Sequence, residues 1–140
     1  MVMSTDRKKI EFVYAAGPLT PRGIKSTNAA IEYLYNLKDL ARTQIDLIMA
    51  GFTPYPTGLD FVYFLALKDG ERITAPVIKK VSKNWLSRSD AILMTKFWEK
   101  SSGSIAEKEL AEKLGLPVFY SIQEILDYNA GLDQPQLPLN

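Results

Sequence analysis

Apolar positions along the chain fall into short β-rich runs separated by longer stretches with helical spacing. Ile10 to Ala16 (IEFVYAA) reads as a buried strand that ends at the breaker pair Gly17-Pro18. Ser26 or Thr27 then offers an N-cap to a long helix whose Ala30, Leu34, Leu37, Ala41 and Ile48 share one predicted face. Gly51 closes that helix as its C′ residue. Phe52 to Pro56 is extended and too proline-rich for a helix, so it predicts a short strand emptying into a loop. Gly58 to Asp69 predicts a partly buried aromatic helix, and Pro76 to Arg88 another with Val77, Val81, Trp85 and Leu86 inward. A strand over AILMT follows Asp90. Then come a helix over Ser104–Leu114 stopped by Gly115, a strand over Pro117–Tyr120, and a short helix over Ser121–Tyr128. Residues 1–9 and the proline-rich tail from Gly131 predict loosely ordered ends.

Strands alternating with helices predict a flavodoxin-like α/β fold: a parallel sheet of about four to five strands between two helical layers. The 140 residues suit one domain with its own core. In such folds ligands sit beyond the carboxyl ends of the strands. That edge collects the loops Gly17–Gly23, Pro54–Asp60 and Lys96–Ser104. Asp90 falls at the amino end of its strand, on the opposite edge, and is therefore expected to be structural.

Composition narrows the chemistry. The chain has neither cysteine nor histidine, which excludes thiol nucleophiles, disulfides, imidazole metal sites and Ser-His-Asp triads. Neither a metal nor a cofactor is expected. Seventeen Lys and Arg against sixteen Asp and Glu give no basic field for a nucleic-acid polymer. No run approaches the ~20 apolar residues of a membrane span. The beginning MVMSTDRKKIEF lacks the apolar core of a signal peptide, so a cytoplasmic location is the expectation.

Within WEKSSGSIAE (Trp98–Glu107) two readings of Glu107 stand. Ser104-Ile105-Ala106-Glu107 fits the capping box S-x-x-E, which needs no function. Stepping about 100° per residue, however, puts Ala111, Leu114 and Leu110 within about 60° of Glu107, with Lys108, Glu109, Glu112 and Lys113 on the opposite arc. A carboxylate on that apolar stripe must be paired, hydrogen-bonded or poised for chemistry. In the first helical turn the macrodipole would favour its ionised form. Ser101-Ser102-Gly103-Ser104 suits a phosphate at a helix N-terminus, or an ordinary cap. Trp98 could stack on a base or pack; Tyr14 could pack or give its hydroxyl to Glu107. The loop GPLTPRG matches neither G-x-G-x-x-G nor a Walker motif.

Taken together, VYAAGPLT, GFTPYP, SDAILM and WEKSSGSIAE followed by LA-x-x-LG-x-PVFYS resemble the nucleoside 2-deoxyribosyltransferase superfamily over most of residues 10–122. The closest resemblance is to its small nucleoside 5′-monophosphate N-glycosidases. It implies cleavage of an N-glycosidic bond in a nucleoside or nucleotide, by hydrolysis or base transfer. Glu107 would be the nucleophile and Tyr14 the residue orienting it. Gly17, with Pro18 beside it, would match the glycine of the first loop, and Ser101 and Gly103 the residues that meet the 5′-phosphate. A homodimer or larger homo-oligomer is also implied. Two positions depart from the family pattern: Ser82 stands where an aspartate is usual and Thr20 where some members have an arginine. Asp60 and Arg22 are the substitutes expected to approach the substrate. The alternative is a nucleotide-binding module on the same fold that does not cleave its ligand.

Overall fold

The computed structural model describes residues 8–21, 23 and 25–133. Among them the strands are β1 (Phe12–Ala16), β2 (Thr53–Pro54), β3 (Ala91–Met94) and β4 (Val118–Phe119). The helices are α1 (Ala29–Met49), α2 (Asp60–Ala66), α3 (Ala75–Ser87), α4 (Ser102–Lys113) and α5 (Ile122–Asp133), with a 3-10 turn at Trp98–Lys100. The sheet is wholly parallel in the order β2-β1-β3-β4, the three-layer flavodoxin-like arrangement. No helix among the described residues is long and apolar enough to cross a membrane.

Alternation along β1 divides the core. Val13 and Ala15 join Leu40 and Leu47 of α1, Leu93, Phe119 and Ile125 of α5 on one face. Tyr14 and Ala16 point to the other, with Leu86 of α3, Ile92, Met94 and Ala111 of α4. Tyr14 is therefore placed toward α3 and α4 by strand period alone. Proline at the second position of β2 is tolerated because pairing uses its neighbours: Thr53 N donates to Glu11 O and Tyr55 N to Val13 O.

Two helices are rotated from their predicted faces. On α1 the buried residues are Glu32, Asn36, Leu40 and Leu47, whereas Leu34 and Ile48 are exposed. The cause is the backbone of the loop after β1, whose polar groups require partners. Glu32 accepts from Gly23 N and Lys25 N, and Asn36 Nδ2 donates to Leu19 O. On α3 Leu86 is buried and Ser82 half-buried, while Val77 and Val81 are exposed. No residue of α2 is fully buried, but Asp60 and Phe61 at its start are half-buried, in keeping with its predicted partial burial. The cap of α1 is Asn28, one residue beyond the expected Thr27, and Gly51 follows the helix at φ 96°.

The chain ends are also better anchored than expected. Helix α5 continues through Gly131 to Asp133, and Asn129 exchanges both amide bonds with the backbone of Ile10. Lys9 pairs with Asp133 and Lys8 with Asp90. Residues 1–7 and 134–140, the remainder of the predicted tails, lie outside the described residues.

Asp90 is structural, as its edge predicts. Its Oδ2 accepts from the amides of Glu11 and Phe12, each at 2.9 Å, and Oδ1 meets Lys8 at 3.1 Å. Burial alone would raise its pKa, but these donors outweigh it and hold the carboxyl below its ordinary range.

Candidate active site

The N-terminus of α4 decides between the two readings of Glu107. Ser101 is the cap: its Oγ accepts from Ser104 N at 3.2 Å and from Ser104 Oγ at 3.0 Å. The predicted Ser104–Glu107 capping box does not form. Ser104 is the third helical residue and Glu107 the sixth, so Glu107 lies in the second turn, beyond the strongest part of the dipole. The wheel is right about Glu107 and Ala111, but Leu114, the C-cap, is exposed.

Freed from capping, Glu107 turns toward β1. Tyr14 donates to its carboxylate from a ring only 1% exposed, while Oε2 is buried with no hydrogen-bond partner. Burial drives the Glu107 pKa up from 4.5 to about 7, against the lowering effect of Tyr14. The first-turn expectation of a readily ionised carboxylate is thus overturned by desolvation. The Tyr14 phenol is raised far above its ordinary range by burial and then by the Glu107 charge beside it. Neutral Tyr14 is a fixed donor.

Two residues join this pair that the sequence reading did not assign to it. Half-buried Ser82, from α3, has a lowering influence on the Tyr14 phenol that burial outweighs. Tyr55 stacks on Tyr14 with centroids 5.4 Å apart and planes at 13°, and Trp85 stacks on the other side of Tyr55 at 5.1 Å and 21°. Tyr55 stands at the predicted ligand edge, in a loop pinned by Gln44 Nε2 to the carbonyls of Tyr55 and Thr57 and by Thr57 Oγ1 to Ala15 O. Its position just after β2 was the available signal. Asp60 begins α2 and acts electrostatically on Tyr55, which also feels Glu107.

The other expected residues do not all join this cluster; the cavity at the first loop is lined from α1 and includes neither Glu107 nor Tyr14. Gly17 follows β1, and a Cβ there would collide with Thr95 Oγ1; only glycine lets the two loops approach. Gly17 and Pro18 line a cavity of about 300 Å³ with Lys25, Asn36, Thr95 and Lys96, between the carboxyl ends of β1 and β3. Beside it Phe97 adopts left-handed backbone, φ 67°, a costly conformation for a bulky residue. Ser101 is buried and occupied as the cap, whereas a Cβ on exposed Gly103 would meet only Ser101 Oγ at 3.9 Å. Trp98 packs beside Tyr120, with Lys108 Nζ 5.3 Å from its ring centroid. Thr20 is exposed, and Arg22 lies outside the described residues.

Residues 61–120 match the model of a family described as a domain of unknown function, DUF4406. The match runs from α2 to just past β4. It takes in Ser82, Trp98, Ser101, Gly103 and Glu107 but stops short of Tyr14, Tyr55 and Asp60. No curated protein and no solved structure matches the chain.

Proposed function

We propose that the protein cleaves the N-glycosidic bond of a nucleoside or nucleoside 5′-monophosphate, with Glu107 as nucleophile. The observation that carries this reading is the buried, unpartnered Oε2 of Glu107 beside the Tyr14 donor. A desolvated carboxylate is poorly satisfied in the free protein. It gains most when positive charge develops next to it, as at the anomeric carbon of an oxocarbenium-like transition state. Oε2 attacks that carbon, the carbon–nitrogen bond breaks, and the base leaves with the electron pair and takes up a proton. Water then opens the glycosyl ester, releasing the sugar and restoring the carboxylate; a second base in place of water gives transfer. Asp60 is the carboxyl available on the Tyr55 side to protonate the leaving base. The unpaired amides at the start of α4, at Ser102 and Gly103, suit a 5′-phosphate.

The same reading includes a homodimer. Apolar side chains stand exposed on α1 and α2, among them Met49 at 82% and Leu65 at 72%, and Tyr33 of α1 and Phe61 of α2 join the helices at 5.7 Å. Such a face suits a second copy of the chain.

The test is chromatographic detection of free base after incubation with ribo- and deoxynucleosides and their monophosphates. Base release that disappears in Glu107→Ala supports the reading. Ligand binding by thermal shift without base from any substrate would replace it with the non-cleaving nucleotide-binding module.

A further inference from the structure

The strand order β2-β1-β3-β4 has one point of reversal. From β1 the chain passes through α1 to β2 on one flank and returns through α3 to β3 on the other, so the order turns between β1 and β3. In open parallel sheets a ligand crevice opens at the carboxyl ends of the strands at such a point. Here it is the cavity of about 300 Å³, at the lower end of small-molecule sites. Its walls come from the first loop, from Asn36, Asp39 and Thr43 of α1, and from Thr95 to Phe97 after β3. A smaller cavity adjoins it, sharing Pro18, Lys25, Asn36 and Phe97 and adding Lys100.

Cations gather at this crevice. Lys25 pairs with Asp39. Lys96 and Lys100 hold their ammonium groups 5.0 and 5.5 Å from the centroid of the same Phe97 ring, and among the described residues neither meets a carboxylate. Glu32 is engaged by the amides of Gly23 and Lys25. An exposed ring face holds a cation weakly, so two like charges stay together around Phe97 with little to offset their repulsion. That ring stands on left-handed backbone, φ 67°, a strain of the kind that persists at ligand sites.

We propose that this crevice is a second ligand site, separate from Glu107, that binds a small sugar phosphate. Ammonium groups act as point charges and suit a phosphate, which lies toward Lys96 and Lys100. The Thr43 and Thr95 hydroxyls and the Asn36 amide, on the remaining walls, offer both donors and acceptors to the hydroxyls of the sugar. Neither Glu107 nor Tyr14 lines the cavity, so the site stands whether or not the protein cleaves a glycosidic bond.

The test titrates the 15N-labelled full chain with glucose 6-phosphate, which is not a product of nucleotide cleavage, at constant ionic strength and follows the backbone amides by NMR. Shifts centred on Gly17, Lys25, Asn36, Thr43 and Lys96 are expected. Lys96→Gln, at an exposed position, should weaken binding about 10-fold, as loss of a charged hydrogen bond does, while Lys96→Arg stays within about 3-fold of the parent. Thr43→Val, which removes a hydroxyl at nearly constant shape, should weaken glucose 6-phosphate about 3- to 5-fold and leave inorganic phosphate unchanged. Glu107→Gln binds as the parent does. The proposal is overturned by absent shifts, by shifts confined to Ser102 and Gly103 at the start of α4, by equal affinity for glucose 6-phosphate and inorganic sulfate, or by undiminished binding in Lys96→Gln. Base release enters none of these readouts, so this site and the reading of Glu107 can fail independently.

Discussion

The two ends of the sheet each hold a carboxylate, and they are treated in opposite ways. At the amino end Asp90 receives two backbone amides and Lys8, and its pKa is lowered. At the carboxyl end Glu107 receives Tyr14 alone, keeps one oxygen without a partner, and has its pKa raised to about 7. Burial acts on both. The number of donors decides the outcome. A carboxylate whose lone pairs are filled by its own fold serves stability, whereas one left short of donors is held ready for something from outside.

Exchanging each group for its amide isosteres separates these roles. Glu107→Gln is expected to lower base release at least about 10³-fold, since an amide cannot form the glycosyl ester, while Asp90→Asn leaves the specific activity near parental. Comparable losses in the two variants would break the contrast. With Glu107 as the proposed nucleophile, base release by the parent is expected to rise with pH through about 7, as the carboxyl ionises.

Stability gives the next largest separation, with opposite signs. Folded Glu107 keeps its proton to about 7, whereas the unfolded chain loses it near 4.5, so the parent loses stability as pH rises through this window. A rise of that size corresponds to about 3 kcal/mol, and Glu107→Gln, which cannot ionise, should exceed the parent by up to that amount above pH 7 and match it near pH 4. Asp90 runs the other way. Its stabilisation is present above the ordinary aspartate pKa and is lost as pH falls through its lowered folded value. Asp90→Asn should therefore cost about 1–2 kcal/mol at neutral pH and progressively less in acid. Urea melts of the three proteins at pH 4 and 8 check both signs.

The smallest effect sharpens the assignment of the cap. Ser101→Ala should destabilise by about 1 kcal/mol, whereas Ser104→Ala leaves Ser101 capping the Ser104 amide and costs less. The reverse order would restore the capping box and return Glu107 to a structural role.

Much of this contrast was legible in the chain. Breaker residues and alternating periods located every strand and α-helix within about three residues, except the end of α5, which runs on from the expected Tyr128 to Asp133. The edge rule separated Asp90 from Glu107, and the helical wheel turned Glu107 inward. What the pattern missed on the two rotated helices has one physical origin: polar side chains on inward faces. Glu32 and Asn36 face in to satisfy the loop after β1, and Ser82 is half-buried on α3. A reading that sends polar residues outward rotates both helices, placing Leu34, Ile48, Val77 and Val81 in a core where they do not belong. Tyr55 escaped because its partners, Tyr14 and Trp85, are 41 and 30 residues away along the chain. The Ser101 cap escaped because three serines crowd one turn and only the fold selects among them.

The proline in β2 carries a consequence beyond its strand. Since Thr53 and Tyr55 spend their amides on β1, the outer rim at this point is Pro54, which has no N–H to offer an arriving strand. The rim is also only two residues long. Recruitment of another backbone is discouraged there by covalent structure, without any charged guard. Strand addition is disfavoured on that flank, which leaves helix against helix as the route open to any association there.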